Sequence, residues 1–149
     1  TLGLRPIEIS LIRLDDVAFR KAELTLRDRK SQNPITFPLP DSTLKAIAAY
    51  LIGVRPKSKD RTLFLTLLRP YGPMSAPTVS GSITKCMRQA KVPGSAYQLR
   101  HTYAQNLLEA GLSVFEIKQM LGHEKIESTK SYLQVHIQLM REVLFDETL

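Results

Sequence analysis

Tyr132 stands nine residues after His123, which itself follows Gly122, in the stretch LGHEKIESTKSYLQV (residues 121–135). A phenol in such a place has two readings. It is a core aromatic beside a helix-terminating Gly–His corner, or it is a nucleophile. Other side chains could serve a nucleophile. Arg5 in GLRPIE and Arg100 in YQLRHT each carry a planar guanidinium fork that matches an oxyanion with parallel hydrogen bonds. Lys30 lies in the polar stretch RKSQNP, and His123 brings an imidazole. Taken singly, each has an ordinary reading: a surface arginine at a helix start, a solvated turn lysine, a helix-capping histidine, a packed tyrosine.

The chain around them is basic. Its 149 residues hold 21 Lys and Arg against 14 Asp and Glu, a formal net charge of +7. Such a balance points to a polyanionic partner, most often nucleic acid, or simply to a soluble basic protein. The length suits one domain with a real core, and 43% hydrophobic residues is ordinary for a globular chain. No apolar run approaches the ~20 residues of a membrane span. The single cysteine, Cys86, excludes a disulfide within the chain and fits a reducing compartment. No phosphate-binding glycine loop and no Cys/His ligand cluster is present, so no cofactor or metal is expected. The opening TLGLRPIE reads as the interior of a longer chain.

Periodicity along the chain predicts the helices and strands that hold these groups. Residues 6–14 (PIEISLIRL) predict a short helix with Pro6 in its first turn. Leu24 and Leu26, then Ile35, Phe37 and Leu39, recur at period two, which predicts strands over 22–28 and 35–39. Residues 29–34 link them as a hairpin turn, and a third strand is expected near Val17 and Phe19. Beyond the hairpin the pattern is helical. Asp41 is expected to cap a helix with Leu44, Ile47, Ala48, Leu51 and Ile52 on its apolar face, ended by Gly53. After a loop over 54–61 and the apolar stretch TLFLTLL, one helix carries Val79, Ile83, Met87 and Ala90 on a face. The next carries Leu99, Tyr103, Leu107 and Leu108 and stops at Gly111. Ser113 and Glu116 make an S-x-x-E capping box that opens a helix running to Gly122. A short helix over 128–135 would carry Tyr132, and the tail from Ile137 to Leu144 is amphipathic. The class is mainly α with a small antiparallel β-sheet (α+β).

The order of these groups resembles the tyrosine recombinase (phage integrase) family. GLRPIEISLIRLDDV, with Glu8, Leu11 and Asp16, is similar to its first arginine box. YQLRHTYAQNLLEAG is similar to its second, and IKQMLGHEKIESTKSYLQV to its nucleophile box. The resemblance runs over almost the whole chain and implies the catalytic-domain fold of that family for residues 1–149. It also implies an N-terminal core-binding domain ahead of it. It departs at one position: the family usually has His where this chain has Tyr97. A phenol there can hydrogen-bond a phosphate or the nucleophile, but with a pKa near ~10 it is a poor base at neutral pH. His101 follows Arg100 directly and is rotated about 100° from it on a helix.

The resemblance implies a site-specific recombinase or integrase acting on double-stranded DNA without ATP, metal or cofactor. Tyr132 would attack a phosphodiester to give a 3′-phosphotyrosine, with Arg5 and Arg100 on the non-bridging oxygens and His123 donating a further hydrogen bond. Lys30, with Arg29 as the adjacent alternative, would protonate the leaving 5′-oxygen. Protomers of the same chain would meet in a tetrameric synapse, while the isolated chain is expected to be monomeric, cytoplasmic and DNA-associated. Two other readings stay open here. One is a type IB-like topoisomerase that reseals the same strand. The other is a DNA-binding relative with a decayed pocket, for which Tyr97 is the hint.

Overall fold

The computed structural model describes residues 2–27 and 34–121. Lys30, Arg29 and the turn over 29–33 lie outside the described residues, as do His123, Tyr132, the helix expected over 128–135 and the amphipathic tail.

Helix α1 spans Pro6–Leu11. Arg5 is its N-cap residue, and the Glu8 carboxylate reaches back to accept the Arg5 backbone N–H at 2.7 Å, which satisfies one donor the helix leaves unpaired. The helix stops three residues earlier than periodicity predicts. Long-range pairing wins there: the Leu63 N–H donates to the Ile12 carbonyl at 2.7 Å, and the Leu14 N–H to the Arg61 carbonyl at 2.8 Å. A 3₁₀ turn over Leu14–Asp16 follows. The Arg61 guanidinium grips the Asp15 carboxylate, holding it below the usual carboxylate range, and ties this turn to the 54–61 loop. That loop is itself set by Arg55, which donates to the carbonyls of Asp60, Thr62 and Leu63.

The sheet has the expected three strands. β1 is Val17–Ala18, β2 is Glu23–Leu26 and β3 is Ile35–Pro38, antiparallel in the order β1-β2-β3. Leu24 pairs with Phe37 and Leu26 with Ile35. Leu24, Leu26, Phe37 and Leu39 are buried, as period two requires. Phe19 falls beyond β1 and is exposed.

Helix α2, Asp41–Gly53, lays Leu44, Ile47 and Leu51 on the sheet core. Pro40, not Asp41, is the N-cap residue, and Asp41 sits in the first turn beside Lys45. There an acidic group still favours the helix dipole. Ile52 is 89% exposed and lies off the buried face. Helix α3, Ala76–Gln89, begins at Ser75, whose hydroxyl accepts the Thr78 N–H, and it buries Val79 and Met87. Ala90 is its C-cap and is exposed. α1 packs on α3.

Helices α4 (Ala96–Glu109) and α5 (Val114–Leu121) form a second core from Ala104, Leu108, Ile117 and Leu121. The capping box is as read: the Ser113 N–H and hydroxyl donate to Glu116, and the Glu116 N–H donates back to the Ser113 hydroxyl at 3.3 Å. The buried face of α4 differs from the expected one. It is Ala96, Arg100, Ala104 and Leu108, with Leu99 46% exposed. Ala104 is fully buried against α5, where a larger side chain would hold the helices apart. The same face carries a buried arginine, which an apolar pattern alone cannot locate.

Candidate active site

Three charged side chains meet where the N-terminal segment, α1 and α4 come together. The Arg5 guanidinium donates to Glu8 Oε1 at 3.2 Å. The Arg100 guanidinium lies 3.7 Å from Glu8 Oε2. Glu8 therefore stands between the two arginines. Its side chain is 5% exposed and that of Arg100 is 7%, whereas that of Arg5 is 30%. A carboxylate or guanidinium this deep is tolerated only when paired and hydrogen-bonded. Among the described residues the cluster sets two cations beside one anion, with Arg5 as its solvent-facing member.

Arg100 does more than pair. It donates to the Gly3 carbonyl at 2.5 Å and to the Leu121 carbonyl at 2.6 Å. One side chain thus joins α4 to the segment that enters α1 and to the C-terminal end of α5. Leu121 immediately precedes Gly122 and His123. The Gly3 carbonyl is aimed by backbone that favours glycine there: φ is +60°, and a Cβ would fall 2.3 Å from Tyr103 Cδ1. The Tyr103 ring is half-buried against this corner, and burial pushes its phenol above the ordinary value of 10.0.

Tyr97 lies in the first turn of α4 and is 67% exposed. Its ring meets His101, one helical turn on, edge to face with centroids 4.4 Å apart. Asp16, also in the first arginine box, is buried and accepts the Arg13 backbone N–H and Arg27 Nε. Leu11 is exposed.

Of the six residues singled out by sequence, the structure brings Arg5 and Arg100 together and places Tyr97 on the Arg100 helix. Lys30, His123 and Tyr132 lie outside the described residues. Sequence reasoning missed the bridging role of Glu8 and the carbonyls of Gly3 and Leu121. The available signal for Glu8 was its position three residues into a helix capped by Arg5, which turns the carboxylate back toward the cap. Among the described residues, no group of three or more His, Cys, Asp or Glu side chains could hold a metal ion, and no helix is long and apolar enough to cross a membrane.

The geometry suits an oxyanion site: a partly exposed fork backed by a buried one, both braced by a shared carboxylate. Comparison with known proteins gives the same direction. Residues 1–138 match the family model described as the phage integrase family, and the chain belongs to that family. It is 31% identical over 144 residues to the tyrosine recombinase XerA of Pyrococcus furiosus, covering 95% of this chain and 49% of the relative. It is 30% identical over 146 residues to the tyrosine recombinase XerD of Corynebacterium glutamicum, covering 95% and 47%. The chain spans about half the length of these curated relatives. Among solved structures, the XerA recombinase crystal structure superposes with a TM-score of 0.76 at 20% identity, covering 98% of this chain and 54% of that one. The XerH site-specific recombinase bound to palindromic difH substrate gives 0.75 at 17% identity, covering 96% and 42%. The fold is that of tyrosine recombinase catalytic domains, as the sequence resemblance implied.

Proposed function

We propose that this chain carries the strand-cleaving and strand-joining chemistry of a site-specific DNA recombinase. The observation that supports it most is the convergence of Arg5 and Arg100 on Glu8, with Arg100 also holding the residue that leads into Gly122 and His123. In this reading the scissile phosphate sits on the exposed side of Arg5. The Tyr132 phenol loses its proton to solvent as its oxygen bonds to phosphorus. The bond from phosphorus to the 5′-oxygen breaks, and Lys30 gives that oxygen a proton. Charge that builds on the non-bridging oxygens is met by Arg5, Arg100 and His123, groups already oriented before the reaction begins. At pH 7 a free phenol is ionised only about one part in a thousand, so the cationic site also helps by favouring the phenolate. The 3′-phosphotyrosine keeps the energy of the phosphodiester. Attack by a 5′-hydroxyl of another strand reverses the step and rejoins DNA without an external energy source.

Double-stranded DNA is the proposed partner. The net charge of +7 supports it, as do relatives solved on DNA, among them the Tn1549 transposon integrase in complex with transposon right end DNA. A tetrameric synapse of protomers belongs to the same proposal. The relatives are named as recombinases, which favours strand exchange over the topoisomerase and decayed-pocket readings.

The test is covalent capture. The chain is mixed with a pool of randomised duplexes carrying nicks that trap the intermediate, and SDS-resistant adducts are sequenced. Enrichment of one duplex, followed by exchange between two copies of it, supports the proposal. Adducts that only relax supercoiled DNA move the assignment to a topoisomerase, and no adduct at all refutes it.

A further inference from the structure

Residues 64–74 double back on themselves. Leu65 and Pro73 bridge antiparallel. The Thr66 N–H donates to the Gly72 carbonyl at 2.8 Å, and the Met74 N–H to the Phe64 carbonyl at 3.0 Å. Inside the loop the Thr66 hydroxyl accepts the Gly72 N–H at 3.2 Å and lies 3.3 Å from the carbonyls of Leu68 and Pro70. Polar backbone groups of the loop are thus met from within, and its shape is set locally. Its tip is nevertheless apolar toward solvent: Leu67 is 59% exposed and Leu68 82%. This loop, the C-terminal turn of α2 and one side of α3 border a cavity of about 540 Å³. Leu65, Leu67, Leu68, Pro70 and Met74 supply apolar walls. Three hydrogen-bond donors line it as well: the Tyr50 hydroxyl, the Ser82 hydroxyl and the Arg69 guanidinium. Tyr50 accepts the Leu65 N–H at 3.1 Å, which leaves its own proton for another acceptor. The Arg69 guanidinium is 5.8 Å from the centroid of the Tyr71 ring, a cation–π contact that steadies it at the tip. Among the described residues no Asp or Glu lines the cavity, and no carboxylate pairs with Arg69.

A cavity of this volume lies in the range that ligands occupy, about 300–1,000 Å³. A small molecule filling it would still leave the outer faces of Leu67 and Leu68 in water. A polypeptide segment fills the cavity and covers the rim at once, as an anchor side chain ringed by contacts that exclude water. The apolar walls reward an apolar anchor at roughly 25 cal/mol per Å² covered. Donors with no facing acid call for an acceptor, and the planar Arg69 fork matches a carboxylate with two parallel hydrogen bonds. A nucleic-acid backbone supplies the anion, but seating its charges against leucines costs desolvation without an apolar gain.

We propose that this cavity docks a partner protein through a short acidic segment, with one Leu-, Met- or Phe-sized side chain in the cavity and an Asp or Glu beside it on Arg69. The net charge of +7 favours the approach of such a segment. None of the residues lining the cavity belongs to the Arg5–Glu8–Arg100 cluster, so docking and strand cleavage can be lost separately.

The full chain is titrated with three pools of fluorescein-labelled heptapeptides, and anisotropy reads binding. Each peptide carries Leu, Met or Phe at its centre, flanked by Asp and Glu in the first pool, by Asn and Gln in the second and by Lys and Arg in the third. The acidic pool binds about tenfold more tightly than the neutral one, the scale of a hydrogen bond to a charged group, and the basic pool binds least. Arg69→Gln brings the acidic pool to the affinity of the neutral one. Lys21→Gln removes the same charge from the β1–β2 turn and leaves affinity unchanged. Ser82→Phe fills the cavity from α3 and abolishes binding of both pools, and Leu68→Ser weakens both about fivefold. All four positions are exposed, so circular dichroism should show the fold intact in each variant. Equal affinity for the acidic and basic pools overturns the proposal, as do equal losses in Arg69→Gln and Lys21→Gln, or no binding of any pool. Self-association of the chain that Leu68→Ser abolishes also overturns it, since the occupant is then a second copy. A random duplex whose affinity falls in Ser82→Phe as far as that of the acidic pool assigns the cavity to DNA and overturns it too.

Discussion

Arg100 Nη2 donates to the carbonyl oxygen of Leu121 at 2.6 Å, so a side chain in the middle of α4 closes the end of α5. The bond makes one residue both a member of the charged cluster and the anchor for the segment that continues to His123 and Tyr132. In the proposed mechanism, cleavage and local fold are coupled through it.

Removing that anchor is costly. Arg100→Ala leaves Glu8 buried with Arg5 as its remaining named cation and frees two carbonyls. Breaking a buried pair typically costs about 3–5 kcal/mol, and Arg5 keeps the expected loss near the lower end. Arg100→Lys keeps a charge but not the fork that reaches Gly3 and Leu121 together, and it should lose most cleavage. Urea unfolding of the two variants, beside adduct formation, checks both statements. Near-wild-type cleavage by Arg100→Lys would separate the anchor from the chemistry.

Glu8→Gln preserves shape and leaves an oxygen to accept the Arg5 N–H. It removes the anion that two guanidiniums share. We expect a loss of about 3 kcal/mol, the scale for an uncompensated buried charge, read as a lower urea midpoint at unchanged slope. In the double variant Glu8→Gln, Arg100→Met the two losses should fall well short of adding, because both changes remove the same Glu8–Arg100 interaction.

The backbone at Gly3 gives a third test. Gly3→Ala meets both a left-handed φ and the Tyr103 ring. The conformation alone costs roughly 1–2 kcal/mol for a residue with a Cβ, and the clash adds to it. Pairing it with Tyr103→Leu should recover part of the loss, measured by thermal unfolding. Equal stability of Gly3→Ala and wild type would mean that the entry segment shifts freely.

The α5 cap predicts an acid limb. Hydrogen bonds from the Ser113 hydroxyl and backbone N–H hold the Glu116 carboxyl below its ordinary value of 4.5. A group with a depressed folded pKa stabilises above its unfolded value and loses that contribution as pH falls through the folded one. Wild type should therefore exceed Glu116→Gln in stability at pH 6, with the gap closing below about pH 4. The gap is small, because the carboxylate is at the surface. Thermal unfolding of both proteins across this range is the measurement.

Much of the architecture was legible because local rules decided it. Leu24, Leu26, Phe37 and Leu39 alternate, and they are buried on one face. Ser113 and Glu116 cap reciprocally at the residues where S-x-x-E predicts it. The misreadings come from tertiary competition. α1 ends at Leu11 because Ile12 and Leu14 pair with residues 61 and 63, which no local pattern reveals. The face of α4 was misplaced because an arginine occupies its buried side and Leu99 its open one. In the site, Arg5 and Arg100 were singled out by the resemblance of GLRPIE and YQLRHT to the family's two arginine boxes. That Glu8 joins them, and that Gly3 and Leu121 receive Arg100, depends on segments distant in sequence meeting in space.

Whether Tyr132 is the nucleophile served by Arg5 and Arg100 is tested by locating the covalent adduct. The chain is incubated with the captured duplex, the adduct is digested, and the nucleotide-bearing peptide is located by mass spectrometry in wild type and in Tyr132→Phe. The expected result is a 3′-phosphonucleotide on Tyr132 in wild type and no SDS-resistant adduct in Tyr132→Phe, which should stay folded because only a hydroxyl is lost. A modified residue elsewhere in the chain, or an adduct that persists in Tyr132→Phe, would contradict it.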